Sequence, residues 1–183
     1  LRIIGIDPGL RHTGWGVVEF KNYKLSYIGD GSISPSTLIS DGERLFFIRR
    51  QLSEIISKYV PNKSAIEQIF VGYGAGSSLK LGMARGVSMS VLAESGLNIT
   101  EIAPKLVKKT IAGYGSASKQ QIKSMIEKLL HIIPMNEDSA DALAIAISAC
   151  HIENDKTPSN LQVRSNGLDI AIAKALLKEK NKS

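Results

Sequence analysis

The sequence predicts an α/β domain built on a mixed five-stranded sheet that is flanked by helices. Three observations support this prediction: three strand-like segments open the chain, an amphipathic helix follows them, and two further strands then alternate with helices. Strands joined by short polar turns are typical of an antiparallel meander, whereas strands separated by helices pair in parallel. The predicted order of elements is therefore βββαβαβααα.

The strands are marked by apolar runs between turn residues. Residues 1–7 are rich in isoleucine and end before the breakers Pro8 and Gly9, and strand-like segments follow at residues 13–20 and 25–34. A buried strand is predicted over residues 64–70 and a short one over residues 97–102.

The helices are marked by apolar residues at steps of three and four. From residue 41 onward this spacing occurs at Leu45, Ile48, Leu52, Ile55 and Tyr59. Further helices are predicted over residues 77–95, from Pro104, over residues 119–130 and from about residue 138.

The composition is that of an ordinary globular protein with a modest positive charge. The 183 residues are 43% hydrophobic and carry a net charge of +6, which is compatible with a nucleic-acid partner without requiring one. The single cysteine excludes a disulfide scaffold and fits a reducing interior. No apolar stretch approaches the ~20 residues of a spanning helix and no secretion signal is visible, so we expect a soluble, cytoplasmic protein without membrane association.

Four carboxylates stand beside apolar residues of predicted strands and a predicted helix. Asp7 ends an apolar strand, Glu67 interrupts a second one, and Asp138 and Asp141 lie three residues apart at the start of an apolar helix. Burying a carboxylate is costly unless it is paired or bound to a metal ion, and residues at i and i+3 share one helix face. A shared divalent cation explains all four positions, and oxygen ligands favour Mg²⁺, with Mn²⁺ as a substitute.

Such a cluster suits phosphodiester hydrolysis. Two ions roughly 3.5–4 Å apart activate the attacking water and stabilise the leaving 3′ oxygen, which yields a 5′-phosphate product. Three of the carboxylates also have a purely structural interpretation: Asp7 as a turn residue, Asp138 as a helix N-cap and Glu67 as a strand residue. One metal site is the simpler account of the whole set.

Short motifs spread over residues 3–151 carry a resemblance to a known family. In chain order they read GIDPGL with TGWG, AIEQIF, LKLGMARG, APKLVK and DSADALA. In content and order they resemble the RuvC family of Holliday-junction resolvases, the crossover junction endodeoxyribonucleases of the ribonuclease H-like superfamily. The resemblance maps the family's metal ligands onto Asp7, Glu67, Asp138 and Asp141, with two Mg²⁺ ions per active site, and it places Lys108 and Lys119 beside the scissile phosphate.

The resemblance also implies partners and a domain organisation. We expect a homodimer that nicks two opposed strands of a four-way DNA junction in recombination and repair, and a junction-migrating helicase complex as its partner in the cell. Residues 1–152 are predicted to form a ribonuclease H-like nuclease domain. Residues 153–183 are predicted to form a polar, flexible tail with a weak amphipathic stretch.

Residues 80–128 carry the densest positive charge of the chain, with eight basic and three acidic residues. Lysines in such a segment contact phosphates without reading the bases. We expect DNA contacts from Phe70, Tyr73, Lys80, Arg85, Lys105 and Lys109. Phe70 keeps the position of the family's stacking aromatic, whereas the glycine-rich loop at residues 72–76 departs from the family, which commonly carries an asparagine with basic or polar neighbours there.

Three other functions match parts of the sequence: a catalytically silent junction-binding module, an RNA-processing nuclease of the same fold and a sugar kinase-like ATPase. The complete set of four carboxylates argues against the silent module, and a chain of 183 residues is far shorter than a two-lobed kinase. The glycines around Trp15 lack the lysine spacing of a phosphate-binding loop, so no nucleotide cofactor is expected.

Overall fold

A five-stranded mixed sheet forms the middle layer of the structure, a computed structural model that describes residues 1–69 and 75–155. An antiparallel meander consists of β1 (Arg2–Asp7), β2 (Thr13–Lys21) and β3 (Lys24–Ile33). On the other side of β1, β4 (Lys63–Glu67) and β5 (Ile99–Ile102) pair in parallel, so the strand order is β3-β2-β1-β4-β5. The predicted fold class and order of elements are confirmed.

Helices cover both faces of the sheet. Those of the described residues are α1 (Asp41–Tyr59), α2 (Ala75–Glu94), α3 (Pro104–Ala112), α4 (Lys119–Leu130) and α5 (Glu137–Asp155). Side chains alternate between the faces along each strand, so Ile4 and Ile6 pack toward α1 and α2, whereas Ile3 packs toward α3, α4 and α5. Two apolar cores result, one on each face.

Three glycines let α5 approach β1 and β2 very closely. A Cβ atom on Gly5 would lie 2.2 Å from the carbonyl oxygen of Ala142, and one on Gly16, which is paired with Gly5, would lie 2.8 Å from Leu143. A Cβ atom on Gly14 would lie 2.1 Å from the carbonyl oxygen of Asp138. Since a backbone atom cannot rotate away as a side chain can, these contacts require glycine and place the first turns of α5 directly on the sheet.

The largest differences from the predicted boundaries are at the ends of β4 and α5. β4 ends at Glu67 instead of residue 70, because its neighbour β5 ends at Ile102, whose carbonyl accepts the last bond of the ladder from Gln68 at 2.9 Å. α5 continues to Asp155, and its Glu153 forms an ion pair with Lys63. Residues 156–183, with the predicted amphipathic stretch, lie outside the described residues. None of the described helices is long and apolar enough to cross a membrane.

Candidate active site

Asp7 and Glu67 are neighbours at the carboxyl ends of two adjacent parallel strands. Ile6 of β1 is in register with Ile66 of β4, so the residues that follow each of them stand side by side. Both Asp7 and Glu67 are one residue out of phase with these isoleucines, which face α1 and α2. Their side chains therefore lie on the face of the sheet that α5 covers.

Asp138 and Asp141 reach the same end of the sheet from α5. Gly14, against which the backbone of Asp138 lies, is the β2 partner of Asp7. The charges of Glu67, Asp141 and Asp138 all act on the carboxyl group of Asp7. The four carboxylates that the sequence singles out are thus brought together, although they come from three separate elements.

Burial and mutual repulsion change the ionisation of this cluster. Burial, followed by the charges of Glu67, Asp141 and Asp138, raises the pKa of Asp7 to about 7. The pKa of Glu67 is raised as well, first by burial and then by Asp141. Carboxylates in this situation are stabilised by a proton or by a cation, and an ion bound here would relieve the repulsion.

Two lysines supply positive charge at the edge of the cluster. Nζ of Lys119, the first residue of α4, lies 3.1 Å from Oδ2 of Asp141, and this hydrogen bond raises the pKa of Lys119. The charges of Lys119 and of Lys108, on α3, both lower the pKa of Glu67 and so act against the increase that burial causes. Lys119 therefore contacts the cluster directly, whereas Lys108 is close enough for its charge to act on Glu67.

The donor set fits a hard divalent cation. Asp7, Glu67, Asp138 and Asp141 offer only oxygen ligands, the type that Mg²⁺ and Mn²⁺ prefer. Within residues 1–69 and 75–155, no three histidine, cysteine, aspartate or glutamate side chains already stand close enough to enclose an ion. The fit rests on two observations. All the donors are oxygen atoms, and their mutual repulsion, which raises the pKa of Asp7, would be removed by a bound cation.

The loop that follows Asp7 is held by two residues that sequence reasoning missed. The buried Thr13 donates a hydrogen bond from Oγ1 to the carbonyl of Gly9 at 2.7 Å, and the buried Arg44 donates one from Nη2 to that of Leu10 at 2.9 Å. The signal for Arg44 was available, since it precedes Ile48 by four residues and so lies on the apolar face of α1.

The predicted DNA contacts lie in different environments. Nε of Arg85 donates to the carbonyl oxygen of Glu67 at 3.2 Å, and its guanidinium also pairs with Glu101, so Arg85 holds the end of β4. Lys80 pairs with Asp41 at 3.4 Å. Lys105 and Lys109 are exposed on α3. Phe70 and Tyr73 lie outside the described residues.

Comparison with known proteins identifies the family. A family model described as crossover junction endodeoxyribonuclease RuvC matches residues 3–151. The chain belongs to the RuvC family. A curated RuvC from Rhodopseudomonas palustris strain BisA53 is 49% identical over 152 residues, which cover 82% of this chain and 87% of the relative. The RuvC of Ruegeria pomeroyi is 43% identical over 166 residues, which cover 90% of this chain and all of the relative.

A solved RuvC structure has the same fold. The structure of T. thermophilus RuvC in complex with a Holliday junction substrate superposes with a TM-score of 0.77 at 29% identity, covering 82% of this chain and 93% of that one. The resemblance of the sequence motifs to the RuvC family is therefore confirmed, as is the ribonuclease H-like sheet. RuvC family members are metal-dependent nucleases that hydrolyse phosphodiester bonds.

Proposed function

We propose that this chain is a structure-selective endonuclease that resolves four-way DNA junctions by paired symmetric nicks, in homologous recombination and DNA repair. One observation carries the proposal: carboxylates from β1, β4 and α5 converge at one end of the sheet, where burial and mutual repulsion raise the pKa of Asp7 to about 7. A chain that used this fold only to bind DNA would have no need for so costly a cluster.

The four carboxylates would hold two Mg²⁺ ions, with Mn²⁺ as a substitute. When bound, such ions lower the pKa of the attacking water and stabilise the charge on the leaving 3′ oxygen. The chain's own contribution is the placement of the ligands, which the backbone contact of Asp138 with Gly14 and the pairing of β1 with β4 determine. Lys108 and Lys119 would stabilise the negative charge on the scissile phosphate.

Exposed basic residues on α3 suit the backbone of the junction arms. Lys105 and Lys109 lie on the same helix as Lys108, so one helix would present a row of positive charge beside the carboxylates. Lys80, Arg85, Phe70 and Tyr73 complete the proposed set of DNA contacts. To bind DNA, Arg85 would have to release Glu101 or use the edge of its guanidinium group that its contacts within the protein leave free.

Partners follow from the geometry of the substrate. A four-way junction has opposed strands of the same polarity, and a homodimer with two-fold symmetry would place one active site on each. A junction-migrating helicase complex would supply the substrate in the cell. The single cysteine, which is buried at Cys150, suits a protein of the reducing cytoplasm.

Cleavage assays on matched substrates test the proposal. A four-way DNA junction, a DNA duplex of the same sequence and a structured RNA would be incubated with the protein in Mg²⁺, Mn²⁺, Ca²⁺ or a chelator. We expect symmetric nicks with 5′-phosphate ends on the junction alone, in Mg²⁺ or Mn²⁺. Ca²⁺ should fail, because its looser, higher-coordinate geometry holds the ligands without aligning the attack. Preferred cleavage of RNA would favour the RNA-processing nuclease, and binding of the junction without cleavage would favour the silent module.

A further inference from the structure

A buried carboxylate on β3 links the sheet to the segment that precedes α5. Asp30 is only 8% exposed. Its Oδ1 accepts a hydrogen bond from the hydroxyl of Tyr27 at 2.7 Å, and its Oδ2 accepts one from the backbone N–H of Met135 at 2.8 Å. We call these two bonds the Asp30 tether. They occupy both oxygens of a buried carboxylate, as its burial requires.

The tether ends at Met135, two residues before the start of α5. Asn136 caps this helix: its side-chain oxygen accepts from the N–H of Ser139 at 2.9 Å, and its own N–H donates to the hydroxyl of Ser139 at 3.0 Å. The cap is therefore reciprocal, as in a capping box. Asp138 and Asp141 follow Asn136 by two and five residues, so the position of Met135 is transmitted directly to both carboxylates.

The residues on either side of Pro134, next to the tether, have little packing of their own. Ile133 and Met135 are 83% and 70% exposed, whereas Pro134 is buried and Ile132 is half-buried against the core. On the sheet side, Asp30 is in register with Gly16, one of the glycines on which α5 rests. The tether and the glycine contacts thus hold the same end of α5 against the same pair of strands.

We propose that Asp30 is a positioning residue of the nuclease site, which holds the first turn of α5 so that Asp138 and Asp141 face Asp7 and Glu67. This inference rests on the proposed function, and Asp30 acts through its hydrogen bonds to Tyr27 and Met135. A misplacement of about 1 Å in a catalytic group costs roughly 10²-fold in rate, so a tether of this kind controls the chemical step.

Three variants of the full chain separate the tether from general stability. Asp30→Ala removes both hydrogen bonds, Asp30→Asn keeps an acceptor for Met135 and a polar partner for Tyr27, and Tyr27→Phe is the matched control that removes one bond and leaves Met135 held. Each variant would be measured for single-turnover junction cleavage at saturating protein, for junction affinity, for thermal unfolding and for amide hydrogen exchange in residues 135–142. Hydrogen exchange needs neither metal nor substrate.

We expect Asp30→Ala to lose roughly 10²-fold in cleavage rate, with unchanged junction affinity and faster exchange at the start of α5. Asp30→Asn should recover most of the rate, and Tyr27→Phe should match the wild type. If Asp30→Ala does not fold, Asp30→Ser, whose side chain is too short to reach Met135, takes its place. An unchanged rate in the folded variant, or a lost rate with unchanged exchange, overturns the inference. Failure of the wild type to cut junctions overturns the proposed function instead, and hydrogen exchange still tests the tether.

Discussion

The backbone of Asp138 lies against the α-carbon of Gly14, so closely that a Cβ atom there would stand 2.1 Å from the carbonyl oxygen of Asp138 and 2.6 Å from its carbonyl carbon. Gly14 is also the β2 partner of Asp7. One contact therefore sets the distance between a strand that carries one carboxylate and a helix that carries two. The site depends on a residue that has no side chain.

Gly14→Ala should damage both stability and catalysis. The new methyl group meets backbone atoms, so α5 must shift away from β2, at a cost of about 1–3 kcal/mol in the free energy of unfolding. Junction cleavage should fall further than stability accounts for, because the shift separates Asp138 from Asp7. Denaturant unfolding and single-turnover cleavage measure the two effects. Gly42→Ala, on α1 where a Cβ atom meets nothing within 4 Å, is the control and should leave cleavage unchanged.

The four carboxylates stand out in the sequence because each lies beside apolar residues of a strand or a helix. Asp7 and Glu67 are charges in apolar strands, and the order of elements follows from the periodicity of the apolar residues. That reasoning needs only near neighbours in the chain, and it places all four carboxylates at one site.

Contacts between distant residues were not predictable in this way. The partner of Asp30 lies 105 residues further along the chain, and the carbonyl that Arg44 binds lies 34 residues before it. Gly14 and Gly16 belong to the TGWG motif of the resemblance, which predicts no packing role for them, although alternate glycines on one strand also signal a close helix. The sequence predicts Arg85 only as a DNA contact, because nothing in it indicates that Glu67 and Glu101 lie beside this residue.

The metal-free protein should lose stability as the pH rises through the weakly acidic range. Since the pKa of Asp7 is raised from 3.8 to about 7, the folded state holds this proton more tightly than the unfolded chain does. The stabilisation is complete below about pH 4, is lost by about pH 7 and amounts to something on the order of 4 kcal/mol. Urea unfolding in a chelator measures it. Asp7→Asn should make the free energy of unfolding less dependent on pH in this range, and the variant should be more stable than the wild type at pH 8. Identical pH dependence in the two proteins would contradict the burial and repulsion assigned to Asp7.

Asp7→Asn should also abolish cleavage while leaving junction binding largely intact. The substitution removes one ligand charge from the metal site but leaves the basic residues of α3 unchanged. Single-turnover cleavage should fall by roughly 10²-fold or more, the scale on which loss of one group from a preorganised site acts. Glu54→Gln, an exposed carboxylate on α1, is the matched control. Turnover by Asp7→Asn at the wild-type rate would rule out the metal assignment.

Lys108 and Lys119 should affect both the binding of junction arms and the rate of the chemical step. Each neutralised phosphate contributes about 0.9 to the slope of log affinity against log salt, so Lys108→Ala or Lys119→Ala should flatten that slope by nearly one. Lys119 lies 3.1 Å from Asp141 and the charges of both lysines act on Glu67, so we propose that each also stabilises the charge that develops on the scissile phosphate. The cleavage rate at saturating protein should therefore fall by more than the loss of affinity explains.

Lys24→Ala, an exposed lysine at the opposite end of the sheet, should change neither quantity. A changed slope with an unchanged saturated rate would make the two lysines docking residues only, and no change in either would remove them from the site.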